Sequence, residues 1–222
     1  MIPLRDLTPR SSVPFMTVLI ILANVGIFLF QVSLGPRTGQ ALAYTFGMVP
    51  ARIPLAFATD QVTLVQAFLP LLTSMFLHSG WFHLIGNMWF LWVFGDNIED
   101  RLGHLNYVLF YLVCGIGAAV VHSVANIAST VPAVGASGAI SGVMGAYIVL
   151  FPGSRVLTLV PLLFFFFTVQ LPAVVFLGYW FLIQFVSGVG SLGLHTQGGV
   201  AFWAHIGGFV LGALLVIGSR RR

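Results

Sequence analysis

The sequence predicts an all-α fold: a polytopic membrane protein, one domain over residues 1–222 forming a bundle of six transmembrane helices with cytoplasmic termini. Three observations lead there. Of 222 residues, 59% are hydrophobic and only 6% charged, whereas a soluble domain carries about a quarter charged residues to cover its surface. Between Leu102 and Ser219 the single charged side chain is Arg155. The nine basic residues are all Arg, clustered at the chain ends and in short connections, where they read as topology signals. Soluble, disordered, fibrous and coiled-coil proteins are excluded. The net charge of +4 comes without a basic patch interleaved with aromatics, so nucleic acid is not an expected partner; the lipid bilayer is.

A spanning helix needs about 20 mainly apolar residues. The first candidate, about 14–34, follows Arg5 and Arg10. It is longer than a signal-peptide core, and Arg37 separates it from the cleavage-like string Ala41–Leu42–Ala43, so it is read as a retained helix. Residues 35–80 are expected to form one long external loop, with apolar Val62–Leu77 dipping into the interface. Counting that stretch as a seventh span would put Arg5 and Arg10 outside and weaken the positive-inside bias. The second helix, about 82–98, is short and rich in aromatics (Trp89, Phe90, Trp92, Phe94). Helices of about 104–124, 135–152, 158–186 and 201–218 complete the six. Arg155 marks a loop, because a charge at mid-bilayer costs about 2.5–3.5 kcal/mol. The lone Cys114 lies in an apolar run, so neither a disulfide nor a Cys-based metal site is expected.

In such a chain the informative residues are polar ones at membrane depth. His83 and Asn87 lie near the start of the second helix, Ser137 near the start of the fourth and His205 near the start of the sixth. These three helices run in the same direction, so all four residues share one depth in the outer half of the bilayer. Ser137 sits in Gly135–Ala136–Ser137–Gly138, followed by Gly142 and Gly145. By itself this is a small-residue packing face, but it also uncovers a hydroxyl. His205, Gly208 and Gly212 share a face of the sixth helix, which can press against the glycines of the fourth and bring the imidazole to Ser137 as a general base. His83 and Asn87, four apart, present neutral donors suited to an oxyanion, or, more simply, hydrogen-bonding glue between helices. The N-terminus of the fourth helix adds its free N–H groups and positive dipole end. No acid lies at that depth; Asp96, Glu99 and Asp100 cluster at the other end of the second helix. The chemistry implied is a Ser–His dyad whose histidine is oriented by packing, with a water-accessible cavity lined by His78, His83 and Ser137.

These residues resemble one family, the rhomboid intramembrane serine proteases, over nearly the whole chain. His78, His83 and Asn87 in HSGWFHLIGN resemble its second-helix pattern, GASGAISGVMG its nucleophile helix, AHIGGFVLG its histidine helix, and IEDRLG (Glu99, Arg101) its loop motif after the second helix. The resemblance implies a serine endopeptidase of the bacterial six-helix type in the bacterial cytoplasmic membrane, cleaving transmembrane protein substrates without metal or cofactor. It makes Ser137 the nucleophile, His205 the base, and Asn87 and His83 the oxyanion donors. Loop 35–80 becomes a membrane-embedded lateral loop, and the fifth helix with loop 187–200 a substrate gate. Ser141 stands where many relatives carry a Tyr that supports the histidine. Two other readings fit fewer residues. One is a catalytically silent relative that binds membrane helices. The other is a metal transporter using His78, His83, His122 and His205, which lacks intramembrane acids to accompany them. His104, His122 and His195 read as interfacial or packing residues.

Overall fold

The computed structural model describes residues 1–162, 165–191 and 200–218. In chain order they form β1 (Ile2–Asp6), α1 (Phe15–Ser33), α2 (Gly35–Phe46), α3 (Arg52–Ala58), α4 (Leu64–Phe68) and α5 (Pro70–Thr73), the last followed by a 3-10 turn (Ser74–Phe76). Then come α6 (Trp81–Leu102), α7 (His104–Ala125), α8 (Ser137–Leu150), β2 (Arg155–Leu162), β3 (Phe165–Pro172), α9 (Ala173–Ser191) and α10 (Phe202–Val216). Among the described residues α1, α7 and α9 are each long and apolar enough to cross a bilayer. Residues 64–76 together with α6 make a fourth candidate, bent by 75°. The helices α8 and α10, of 14 and 15 residues, are apolar but shorter. His195, Arg220, Arg221, Arg222 and most of loop 187–200 lie outside the described residues.

Two expectations are corrected. Residues 35–80 are not one loop but a series of short helices. Local signals start them: Pro36 opens α2, Pro70 opens α5, and Thr63 with Gln66 forms a reciprocal capping box on α4, which satisfies donors that a helix start leaves free. The expected helix over 158–186 begins only at Ala173. Its first half is instead the hairpin β2–β3, which β1 extends to an antiparallel three-stranded sheet. Pro161 and Pro172 deny an uninterrupted helix its i→i−4 bonds, and the run Val156–Leu159 followed by Phe165–Val169 is rich in β-branched and aromatic residues that favour strand.

The core is built around α8, whose residues from Gly138 to Tyr147 are all buried. It is so closely packed because glycines meet backbone. A Cβ on Gly208 of α10 would collide with the Gly138 carbonyl, and one on Gly212 with the Gly142 carbonyl. The other side of α8 rests on α7, with Gly138 facing Ala118 and Gly142 facing Cys114.

The C-terminal ends of α6 and α8 carry the polar network of the fold. Glu99, fully buried, accepts from Met16 N at 2.8 Å and from Thr17 N and Oγ1 at 2.7 Å, and lies 2.5 Å from His104 Nδ1. It thereby caps α1, whose N-cap position, Pro14, offers no side-chain cap of its own, and places a carboxylate at the positive end of that helix. Asp6 accepts from Tyr147 Oη at 2.8 Å and Asn97 Nδ2 at 2.6 Å, which pins β1 to α8 and α6. Burial raises the Asp6 carboxyl above the ordinary aspartate range, with hydrogen bonds from Tyr147 and Thr8 pulling the other way. Nearby, Arg10 pairs with Asp96 at 3.2 Å, and Ser11 and Ser12 donate to Asp100.

Gly208→Val forces α10 away from α8; overpacking of this kind costs about 1–3 kcal/mol or more. The expected result is a melting temperature in detergent lower by several degrees, about 2–4 °C per kcal/mol at this size; an unchanged value contradicts the backbone contact. Asp6→Ala removes the acceptor of three donors, Tyr147 Oη, Asn97 Nδ2 and Thr8 N, and should cost about 1–3 kcal/mol, read by the same melting experiment.

Candidate active site

The three helix starts converge. Ser137 is the first residue of α8, His83 and Asn87 lie in the first two turns of α6, and His205 is the fourth residue of α10. The glycine contact between α8 and α10 has a direct consequence: Ser137 Oγ lies 2.7 Å from His205 Nε2. His205 is 8% exposed, and its other nitrogen, Nδ1, lies 2.7 Å from Gln184 Oε1 of α9. The indole of Trp180, one turn earlier on α9, sits 5.8 Å from the imidazole at an angle of 37°. Ser141 donates to the Ser137 carbonyl at 2.6 Å, so its hydroxyl serves its own helix.

The segment entering α8 is held from two sides. Ala133 and Met48 exchange backbone hydrogen bonds of 2.8 and 2.9 Å, and Gly135 N–H donates to the Ser74 carbonyl at 2.9 Å. Gly135 has φ +127°, and a Cβ there would stand 2.6 Å from His83 Nε2 and 3.5 Å from Asn87 Nδ2. A glycine is therefore required both by the backbone conformation and by the His83 ring, which leaves no room for a Cβ. His83 Nδ1 lies 3.0 Å from Ser79 Oγ and 3.5 Å from Ser79 N. Because the amide N–H can only donate, Nδ1 is the acceptor and the ring proton sits on Nε2, aimed at the strand of chain before Ser137. Asn87 is 8% exposed, and its buried Nδ2 has no protein partner. An orphaned buried donor is costly; here His83 and Asn87 line the same cleft as Ser137, at the start of α8, where helix N–H groups lack intrahelical partners.

A cleft of about 210 Å³ opens at this point, between α6 (Phe82, His83, Asn87, Phe90) and α9 (Trp180), with α8 as its floor. A smaller cavity of about 30 Å³ lies on the other side of Ser137 and is lined by Ser74, His122 and Gly135. The expected lining by His78 is corrected. His78 is fully buried behind the cleft, edge-on to Phe28 and to His83 with ring centroids at 6.4 and 5.2 Å. The residue missed from the sequence is Gln184. Its only signal is a long polar amide inside the otherwise apolar stretch FLIQFV, which is expensive in a membrane helix unless it has a partner.

The helices holding these side chains are the ones that match known proteins. The Rhomboid domain family matches residues 65–222. The RHOMBOID-like protein 6, mitochondrial, of Arabidopsis thaliana is 40% identical over 76 residues, 34% of this chain and 24% of that protein. Rhomboid protein 1, mitochondrial, of Saccharomyces cerevisiae is 29% identical over 160 residues, 68% of this chain and 41% of that protein. The presenilin-associated rhomboid-like protein, mitochondrial, of Mus musculus is 32% identical over 125 residues, 54% of this chain and 33% of that protein. The chain thus spans well under half the length of these relatives. All three are named as mitochondrial proteins, which overturns the expectation of a bacterial cytoplasmic membrane. A domain match that takes in α6 to α10, with the Ser–His pair and the donors facing it, makes this chain a member of the rhomboid family.

Proposed function

We propose that the protein is an intramembrane serine endopeptidase that hydrolyses peptide bonds in or near transmembrane segments of other membrane proteins. The observation that supports this most is the 2.7 Å approach of Ser137 Oγ to His205 Nε2 beside an unpartnered buried amide donor. In this reading a substrate segment enters the cleft between α6 and α9. Ser137 Oγ attacks the peptide carbonyl carbon while its proton passes to His205 Nε2. The oxyanion takes hydrogen bonds from His83 Nε2, Asn87 Nδ2 and the N–H groups at the start of α8. The imidazolium then gives its proton to the leaving amine and the C–N bond breaks. Water attacks the acyl carbon as its proton goes to His205; the C–Oγ bond then breaks, His205 returns the proton to Ser137 Oγ, and the carboxylic acid product leaves.

Placing this chemistry in lipid is feasible because the groups it uses (Ser137, His205, His83, Asn87) include no carboxylate or guanidinium. The arrangement also carries the six-span proposal, with α6, α8 and α10 as the second, fourth and sixth helices and both termini on the inner side. A 14-residue α8 is only about 21 Å long against a hydrocarbon core of about 30 Å. If its C-terminus lies at the inner surface, Ser137 is sunk below the outer one, within reach of water from that side.

Purified protein in liposomes is expected to cleave a transmembrane peptide, and Ser137→Ala or His205→Ala to abolish cleavage; cleavage that survives Ser137→Ala contradicts the proposal. Asn87→Ala should lower kcat by about 10²–10³-fold, the usual loss for one oxyanion donor, with KM little changed. A wild-type kcat in that variant would remove Asn87 from the oxyanion site.

A further inference from the structure

Resting on that reading, we infer that Gln184 is the third member of the catalytic group, a positioning residue that locks the tautomer and ring orientation of His205. The helix α9 exposes most of its surface, with Ile183 42% and Phe185 46% exposed on either side of Gln184. Gln184 itself is 8% exposed, and its side chain is turned inward onto one atom, His205 Nδ1. A carbonyl oxygen only accepts, so the proton must sit on Nδ1, and the neutral imidazole then presents the Nε2 lone pair to Ser137 Oγ–H. This is the tautomer a general base requires. The reverse tautomer would place a proton between Nε2 and the hydroxyl and leave the base unable to act.

Trp180 and Gln184 are four residues apart on one face of α9, so a single helix face both walls the imidazole and fixes its far nitrogen. Among the described residues, His205 Nδ1 faces Gln184 Oε1 at 2.7 Å and no Asp or Glu is bonded to the ring. The orienting partner is therefore an amide and not a carboxylate. An amide achieves the orientation without a buried negative charge in the bilayer; a carboxylate would stabilise the imidazolium more strongly. Ser141, whose hydroxyl is bonded to the Ser137 carbonyl, leaves this task to α9.

The test uses the full chain in liposomes with a transmembrane peptide substrate, and compares wild type with Gln184→Leu, Gln184→Glu and a Ser137→Ala control. Gln184→Leu keeps bulk but cannot accept a hydrogen bond. It should lower kcat by about 10–100-fold, a partial loss of the roughly 10²–10⁴-fold attributed to general-base assistance, with KM within about twofold. Gln184→Glu, once ionised, can only accept. It should restore most of the rate and move the acidic limb of the kcat–pH profile to higher pH, because a carboxylate favours the protonated imidazole. A wild-type kcat in Gln184→Leu overturns the inference. If Gln184→Leu is instead inactive and poorly folded, the Glu variant decides: an active enzyme with a displaced limb supports the positioning role, and an inactive one or an unmoved limb refutes it. Cleavage retained by Ser137→Ala is the separate result that refutes the serine-protease reading itself.

Discussion

The structure depends on the contact of two helix backbones with no side chain between them. Glycines of α8 and α10 face each other's carbonyls so closely that a single methyl at Gly208 or Gly212 would overlap the opposite chain. In a bilayer there is little hydrophobic force to drive helices together, so close van der Waals packing of small residues takes its place. That contact fixes the relative height and rotation of α8 and α10. With those fixed, Ser137 and His205, 68 residues apart, meet at 2.7 Å. Neither side chain has to reach; the backbones bring them together.

Polarity is divided between the two ends of the bundle. At the starts of α6, α8 and α10 stand groups with no fixed charge: two imidazoles, one amide and a hydroxyl, joined by the Gln184 amide of α9. At the far end of α6 stand Asp96, Glu99 and Asp100, each tied to the N-terminal segment, with Asp6 of that segment bonded beside them. Glu99 caps α1 and Asp6 holds β1 against Tyr147 and Asn97. The separation has an energetic logic. Ionised groups are costly at membrane depth, so they serve where they can be capped or hydrated, while in the proposed reaction the site's groups acquire charge only in passing.

Much of the site was legible in the residues because membrane depth is a one-dimensional constraint. Three helices running in the same direction, each with a polar residue near its start, place those residues at one level whatever the details of packing. The glycine spacings in GASGAISGVMG and AHIGGFVLG then indicate which helices touch. Gln184 was not legible, because a lone amide in an apolar helix carries no sign of the partner it turns toward. The position of His78 was misread for the opposite reason: sequence proximity to His83 suggested a shared cavity, whereas the turn before α6 sends His78 behind it. The hairpin β2–β3 was read as helix because apolar length was weighed above Pro161, Pro172 and the β-branched run between Arg155 and Val160. In the stretch 35–80 overall hydropathy hid local start signals at Pro36, Thr63 and Pro70.

The central claim is that a lipid-embedded hydroxyl is made nucleophilic by the imidazole beside it. Its most direct measurement is reaction of the membrane-reconstituted protein with a fluorophosphonate, followed by mass-spectrometric mapping of the adduct. The account predicts a single adduct on Ser137, lost when His205 is replaced by Ala. No adduct, or an adduct on another residue with Ser137 unmodified, would contradict it.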